Sequence, residues 1–415
     1  MIAAFSTIVE WYDFTLYLYF ATVLSRVFFG GGAQSLIVTL AGFAVAYLMR
    51  PLGAIVFGHI GDRQGRRRSL LLSVALMTAA MLATALLPGR TEGGPIAGVL
   101  LILLRCVMGF AVGGEYSGVV AYLLEGAPSE RRGLIASLAS AASEVGGLLA
   151  VGISALTVSL AGEAQLQTWG WRIPFLFGAA LAASVWVARS VMEESPEFER
   201  QQMAGSVPER PLAHTLVHQR MGVFRSFMIS ALGSITYYVG ITYVPAFITS
   251  AGLLGERASL WLSTVAAVLV ILVTPVAGIL SDRIGRRPVL IALAIASAVL
   301  PMAMFSLMAG NSAAAALAGA AILACIAGAY SAVGAAATGE QFAGEGRMTG
   351  LALGATGATA IFGGFTPWLS QSLVASTGWA AIPGVLIAAV ALAVLPVLLT
   401  MPETAPVTRQ RRRRS

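Results

Sequence analysis

The spacing of charge along this chain constrains its fold more than any other feature. Acidic and basic residues fall in short clusters, and the apolar stretches between them run roughly 20 to 28 residues, each long enough to cross a hydrocarbon core of about 30 Å as a helix. A soluble chain of 415 residues would usually divide into domains with charged exteriors, whereas here 57% of residues are hydrophobic and only 11% are charged. The expected fold is therefore an all-α membrane protein with twelve transmembrane helices. They fall near 2–28, 35–60, 69–88, 97–124, 134–160, 173–192, 223–250, 258–280, 289–309, 313–339, 348–374 and 379–401.

The net charge of +7 does not describe a nucleic-acid surface. Every basic residue is arginine, and the arginines crowd into alternate loops: Arg63, Arg66, Arg67 and Arg68; Arg131 and Arg132; Arg283, Arg286 and Arg287; and Arg347. Arginine-rich loops stay on the cytoplasmic side. An even number of spans then puts both termini there, in what is expected to be a bacterial inner membrane. The tail Arg411–Arg414 is expected to be a solvated topology signal or an anionic-lipid contact rather than a specific binding site. The first segment is no signal peptide: it lacks a basic start, and Glu10 and Asp13 interrupt it. Cys106 and Cys325 lie in separate apolar helices, and His59, His214 and His218 form no cluster with them, so neither a disulfide, a metal site nor a cofactor is expected.

The chain repeats itself. Gly61-Asp62-Arg63-Gln64-Gly65-Arg66-Arg67-Arg68 joins helices 2 and 3, and Ser281-Asp282-Arg283-Ile284-Gly285-Arg286-Arg287-Pro288 joins helices 8 and 9. A loop repeated about half a chain apart points to two parallel six-helix repeats. The expected organisation is a six-helix bundle over 1–192, a cytoplasmic loop over 193–222, a second bundle over 223–402 and a basic tail over 403–415. In each loop the glycines permit a tight turn, and the aspartate is placed to accept from free N–H groups at a nearby helix start. Gly61, Asp62, Arg63, Gly65 and Arg66, with Asp282, Arg283, Gly285 and Arg286, are the candidate gating residues.

The paired loops resemble the signature loop of the major facilitator superfamily. Further stretches resemble its metabolite:proton symporters, which carry alpha-ketoglutarate, shikimate, citrate and proline or betaine. They are Glu10-Trp11-Tyr12-Asp13-Phe14, Arg50-Pro51-Leu52-Gly53, Gly113-Gly114-Glu115-Tyr116, Trp169 to Phe175, Glu194-Ser195-Pro196-Glu197-Phe198 and Ile361-Phe362-Gly363-Gly364. The resemblance implies alternating access with a small-molecule substrate and protons as partners, in a protein that works as a monomer. It also implies that the repeated loop stabilises an outward-facing state.

Charge at membrane depth narrows the chemistry. Glu10 and Asp13 lie about 12 to 17 Å in from the cytoplasmic end of helix 1, and their spacing of three puts them on one face. Arg50, Glu115 and Glu144 lie at similar depth, and Arg105 lies nearer the outer side. A buried charge costs several kcal/mol unless it is paired or hydrated. Arg50 and Arg105 are candidates to meet a substrate carboxylate, with Tyr116, Tyr237 and Tyr238 completing the binding set. Glu115, Asp13, Glu10 and Glu144 are candidates to carry the proton. The expected function is proton-coupled symport of an organic acid or betaine-like zwitterion. Proton-driven efflux on the same fold and a transporter-like sensor are the alternatives. The chain carries no phosphate-cradling loop or nucleophile motif, so an enzyme is not expected.

Overall fold

The structure, a computed structural model, describes residues 2–64, 66–113, 131–190, 219–251, 254–310, 312–342 and 350–405. The described residues form helices joined by short turns, with no strand among them. In chain order the helical segments are α1 (Ile2–Tyr19, continuing over Ala21–Phe29), α2 (Ala33–Gln64), α3 (Arg66–Ala85), α4 (Ile96–Val112), α5 (Arg132–Leu160) and α6 (Arg172–Ser190). The second half contains α7 (Arg220–Tyr237, then Val244–Ser250), α8 (Glu256–Ile284), α9 (Arg286–Met308) and α10 (Ala313–Gly339). It ends with α11 (Ala352–Thr356, Gly357–Thr359, Ala360–Gly364 and Phe365–Thr377) and α12 (Ile382–Thr400). These are the twelve expected segments of the major facilitator fold. The expected central loop and basic tail lie largely outside the described residues.

Among the described residues, seven helices are long and apolar enough to cross a membrane as single rods, and two bent pairs raise the number to nine. The others differ for identifiable reasons. α1 carries two acids and is interrupted at Phe20, the described part of α4 ends at Val112–Gly113, and α11 is broken by two π segments. α7 also passes through a π segment, Tyr238–Thr242, before bending 45°. Wide turns of this kind inside helices often mark functional positions.

Each half packs within itself, α1 on α5, α2 on α4 and α3 on α6, with α8 on α10 and α9 on α12 as their counterparts. The halves meet chiefly where α5 packs along α8 and α2 crosses α11. The α2–α4 crossing sets the position of Arg50. A Cβ on Gly53 would lie 1.8 Å from the Phe110 carbonyl oxygen, one on Gly109 2.1 Å from that of Ala46, and one on Gly113 2.1 Å from that of Arg50. Only hydrogen in place of a side chain lets these two backbones touch.

Candidate functional site

A cavity of about 110 Å³ lies between the halves. α1, α2 and α4 supply Trp11, Arg50, Val112 and Gly113. α7, α10 and α11 supply the rest, including Tyr237, Tyr238, Tyr330, Ser234 and Thr359. The lining residues of α7, α10 and α11 come from the parts of those helices nearer the arginine-rich loops. Beyond the cavity, toward the opposite face, α2 and α11 close on each other. A Cβ on Gly364 would lie 2.6 Å from the Cβ of Tyr47. At that face Arg26 meets Glu256 of the other half at 2.7 Å and Glu163 of its own half at 3.3 Å, and Trp261 donates to Ser159 Oγ across the halves at 3.0 Å.

Among the described residues, Arg50 is the only charged one in the cavity lining. It is 8% exposed, and its two terminal nitrogens have different partners. Nη2 bonds Glu10 at 2.5 Å, while Nη1 donates to the Tyr47 hydroxyl at 3.0 Å. The guanidinium lies 4.2 Å from the Phe14 ring centre and 4.9 Å from that of Tyr47, an arrangement that suits the planar delocalised cation. The Tyr47 hydroxyl in turn bonds the hydroxyl of Tyr238, which links the two halves. Trp11 stacks on Tyr238, with centroids 6.4 Å apart, and meets Tyr237 edge-on at 5.2 Å.

The candidate residues separate into two sites. Arg50, Glu10, Tyr237 and Tyr238 come together at the cavity. Arg105 does not join them. Its Nη1 bonds both oxygens of Asp13, at 2.8 and 3.0 Å, in a buried layer with the rings of Tyr17 and Phe175. The expected pairing of Arg105 with a substrate carboxylate therefore has no support in this arrangement, because the side chain lies outside the cavity. Glu144, on α5, is 5% exposed and meets no cation among the described residues. Glu115 and Tyr116 lie outside the described residues, as do Gly65 and the side chains of Asp62, Arg63 and Arg66; Gly61 falls in the same undescribed stretch of side chains.

Tyr47 and Tyr330 were not among the sequence candidates. Tyr47 stands three residues before Arg50, one helical turn away, and that spacing alone could have flagged it. Tyr330 sits in an alanine-rich helix where nothing distinguishes it from a packing residue.

The second repeated loop is held at the arginine-rich face. Gly285 takes a φ of +113°, so the turn between α8 and α9 requires glycine. Asp282 reaches across to the other half and accepts from the backbone N–H groups of Gly133 and Leu134, each at 2.9 Å. It thereby caps the start of α5, where free N–H groups and the helix dipole favour a carboxylate. Arg286, fully buried, bonds Asp282 at 2.8 Å, Ser281 at 2.7 Å and Glu340 at 3.3 Å. Arg283 is exposed.

Asp282→Asn should weaken this latch while leaving both bundles folded. Asparagine keeps one acceptor but loses the charge, and a charge-assisted bond contributes about 1.5–3 kcal/mol. In a Cys106→Ser, Cys325→Ser background, a cysteine at Ser137, which abuts Gly278 of α8, should then react about tenfold faster with a membrane-impermeant maleimide. Unchanged labelling would mean that the contact does not gate this face.

A model described as sugar (and other) transporter matches residues 1–206, and one described as major facilitator superfamily matches residues 254–415. The proline/betaine transporter of Escherichia coli K12 is 30% identical over 414 residues, covering 97% of this chain and 83% of the relative. The citrate-proton symporter of Klebsiella pneumoniae is 32% identical, covering 90% of this chain and 85% of its own length. The alpha-ketoglutarate permease of Escherichia coli K12 is also 32% identical, over 89% of this chain and 86% of the relative. Among solved structures, the xylose transporter of E. coli in a partially occluded inward-open conformation superposes with a TM-score of 0.77. It shares 19% identity, with 97% of each chain covered.

Proposed function

The chain belongs to the major facilitator superfamily, and from that premise we propose that it is a proton-coupled symporter for a small carboxylate-bearing metabolite, with a zwitterion as the preferred substrate. The observation that carries this reading is the charge of the cavity. Among the described residues its one cation, Arg50, is paired with Glu10, and the facing wall is aromatic. A guanidinium fork binds a carboxylate through charge-assisted hydrogen bonds. The aromatic side chains of Trp11, Tyr237, Tyr238 and Tyr330 in the lining suit an ammonium or quaternary ammonium end. A substrate of zero net charge therefore leaves the site balanced, whereas a di- or tricarboxylate brings two or three negative charges to one neutralised cation. The names of the relatives span both classes, so the cavity favours one of them on charge grounds.

The protein is a multi-pass integral membrane protein. The reading places it in a bacterial inner membrane with both termini cytoplasmic, so that the cavity side faces the cytoplasm. Both contacts are made in this structure, and alternation would release the Arg26–Glu256 contact on one face and the Asp282 latch on the other in turn.

Uptake into proteoliposomes tests the proposal. With an imposed pH gradient, acid outside, glycine betaine or proline should accumulate about tenfold above citrate or 2-oxoglutarate, a difference of about 1.4 kcal/mol. Collapse of the gradient should abolish accumulation. Preferential uptake of the multiply charged acids would overturn the zwitterion assignment. Efflux driven by the same gradient would overturn symport.

A further inference from the structure

We infer that Glu144 is the proton-carrying acid and that Tyr237 is the positioning residue that ties its charge state to the cavity. This deepens the proton-coupled reading above and rests on it.

Among the described residues, the buried candidate acids differ in what balances them. Glu10 is bound to Arg50, and Asp13 is held by both of its oxygens on Arg105. Changing the charge of either one breaks a buried ion pair and leaves a lone guanidinium, a cost of about 3–5 kcal/mol. Glu144 is as deeply buried, yet no arginine reaches it among the described residues. Its charge can therefore change without leaving a cation behind. Among the described residues, the titratable groups that act on it are both tyrosines: Tyr19 from α1, and Tyr237 from α7 in the other half. Among the described residues none comes from α6, α8 or α10, the other long helices packed on α5.

Tyr237 is placed to serve as the link. Its hydroxyl lies close over Gly147, one helical turn beyond Glu144, and a Cβ at Gly147 would come within 3.2 Å of it. The hydroxyl acts on the Glu144 carboxyl, yet it makes no hydrogen bond of standard geometry in this arrangement. Its ring lines the cavity and touches Trp11 and Tyr238. A small movement of α7 against α5 would complete the bond to the carboxylate or release it. A substrate pressing on this ring would bias that movement, and alternation would bring Glu144 into contact with water on each side in turn. The carboxyl takes its proton from water on one side and returns it to water on the other, with no other bond made or broken.

Two measurements on the purified full chain in liposomes test the inference. In infrared difference spectra taken across acid–base steps, a carboxylic-acid carbonyl band should titrate in the native protein and in Asp13→Asn and Glu10→Gln. It should vanish in Glu144→Gln, and its midpoint should shift in Tyr237→Phe, a change that a mere packing role for the hydroxyl would not cause. A band that survives Glu144→Gln, or one lost in Asp13→Asn instead, overturns the assignment. The second measurement is proton-driven accumulation of radiolabelled glycine betaine or citrate, whichever the native protein takes up. Glu144→Gln should lose accumulation while keeping exchange at equal concentrations. Persistence of gradient-driven accumulation in Glu144→Gln sinks this inference alone. Absence of gradient-driven accumulation in the native protein sinks the symport reading, and the spectra still decide whether Glu144 is the group that titrates.

Discussion

Arg50→Lys is expected to reduce apparent affinity for a carboxylate substrate by about tenfold or more, although it conserves the charge. The guanidinium works as a fork: one nitrogen holds Glu10, the other holds Tyr47, and its plane lies against Phe14. An ammonium offers donors from a single point and cannot span both partners while it also faces a ligand. One lost charge-assisted hydrogen bond is worth about 1.5–3 kcal/mol, and 1.4 kcal/mol corresponds to tenfold. Arg50→Ala should do more. It leaves Glu10 as an uncompensated buried charge, at a cost of about 3–5 kcal/mol, and should lower both transport and thermal stability. Concentration-dependent uptake and a melting curve for each variant separate the two effects. Wild-type affinity in Arg50→Lys would show that this arginine binds only its protein partners.

The largest structural effect is expected from Gly53→Ala. The new methyl carbon would be placed 1.8 Å from the carbonyl oxygen of Phe110, a backbone atom that cannot swing aside as a side chain can. Helices α2 and α4 must separate, and in doing so they displace Arg50 and open the neighbouring contacts at Gly109 and Gly113. Overpacking of a core usually costs about 1–3 kcal/mol, and a clash with backbone belongs at or above the top of that range. The expected result is a sharp fall in the yield of monodisperse protein on size exclusion. Gly152→Ala is the control: it lies on a membrane helix with open space at the Cβ position and should behave as wild type. Equal yields from the two variants would mean that the α2–α4 crossing has slack that the structure does not show.

Much of the architecture was legible in the chain because membrane insertion is governed by properties local in sequence. A stretch of about 20 apolar residues must be helical, since no water satisfies its backbone. Arginine-rich loops and the repeated Gly–Asp–Arg turn then expose a six-plus-six plan. The turn chemistry was equally readable. Asp282 could be expected to cap some helix start, although the sequence could not name Gly133 and Leu134, which stand in the opposite half of the chain.

The candidate site was legible as a set of residues but not as a set of pairs. Depth along a helix places Glu10, Asp13, Arg50, Arg105 and Glu144 inside the membrane, yet it says nothing about which face each presents to which neighbour. Glu10 and Asp13 share a face by spacing, and still they bind different arginines from different helices. Composition and periodicity determined the membrane fold, the repeat and the list of buried charges, because each depends on residues close together along the chain. The crossing of α2 with α4 and the meeting of the two halves decided the rest. They put Arg50 into the cavity, locked Arg105 away from it, left Glu144 without a cation among the described residues and brought Tyr47 and Tyr238 together. The reason is physical: the worth of a buried charge or hydroxyl is set by the few ångströms around it, and those neighbours come from helices that are remote in sequence.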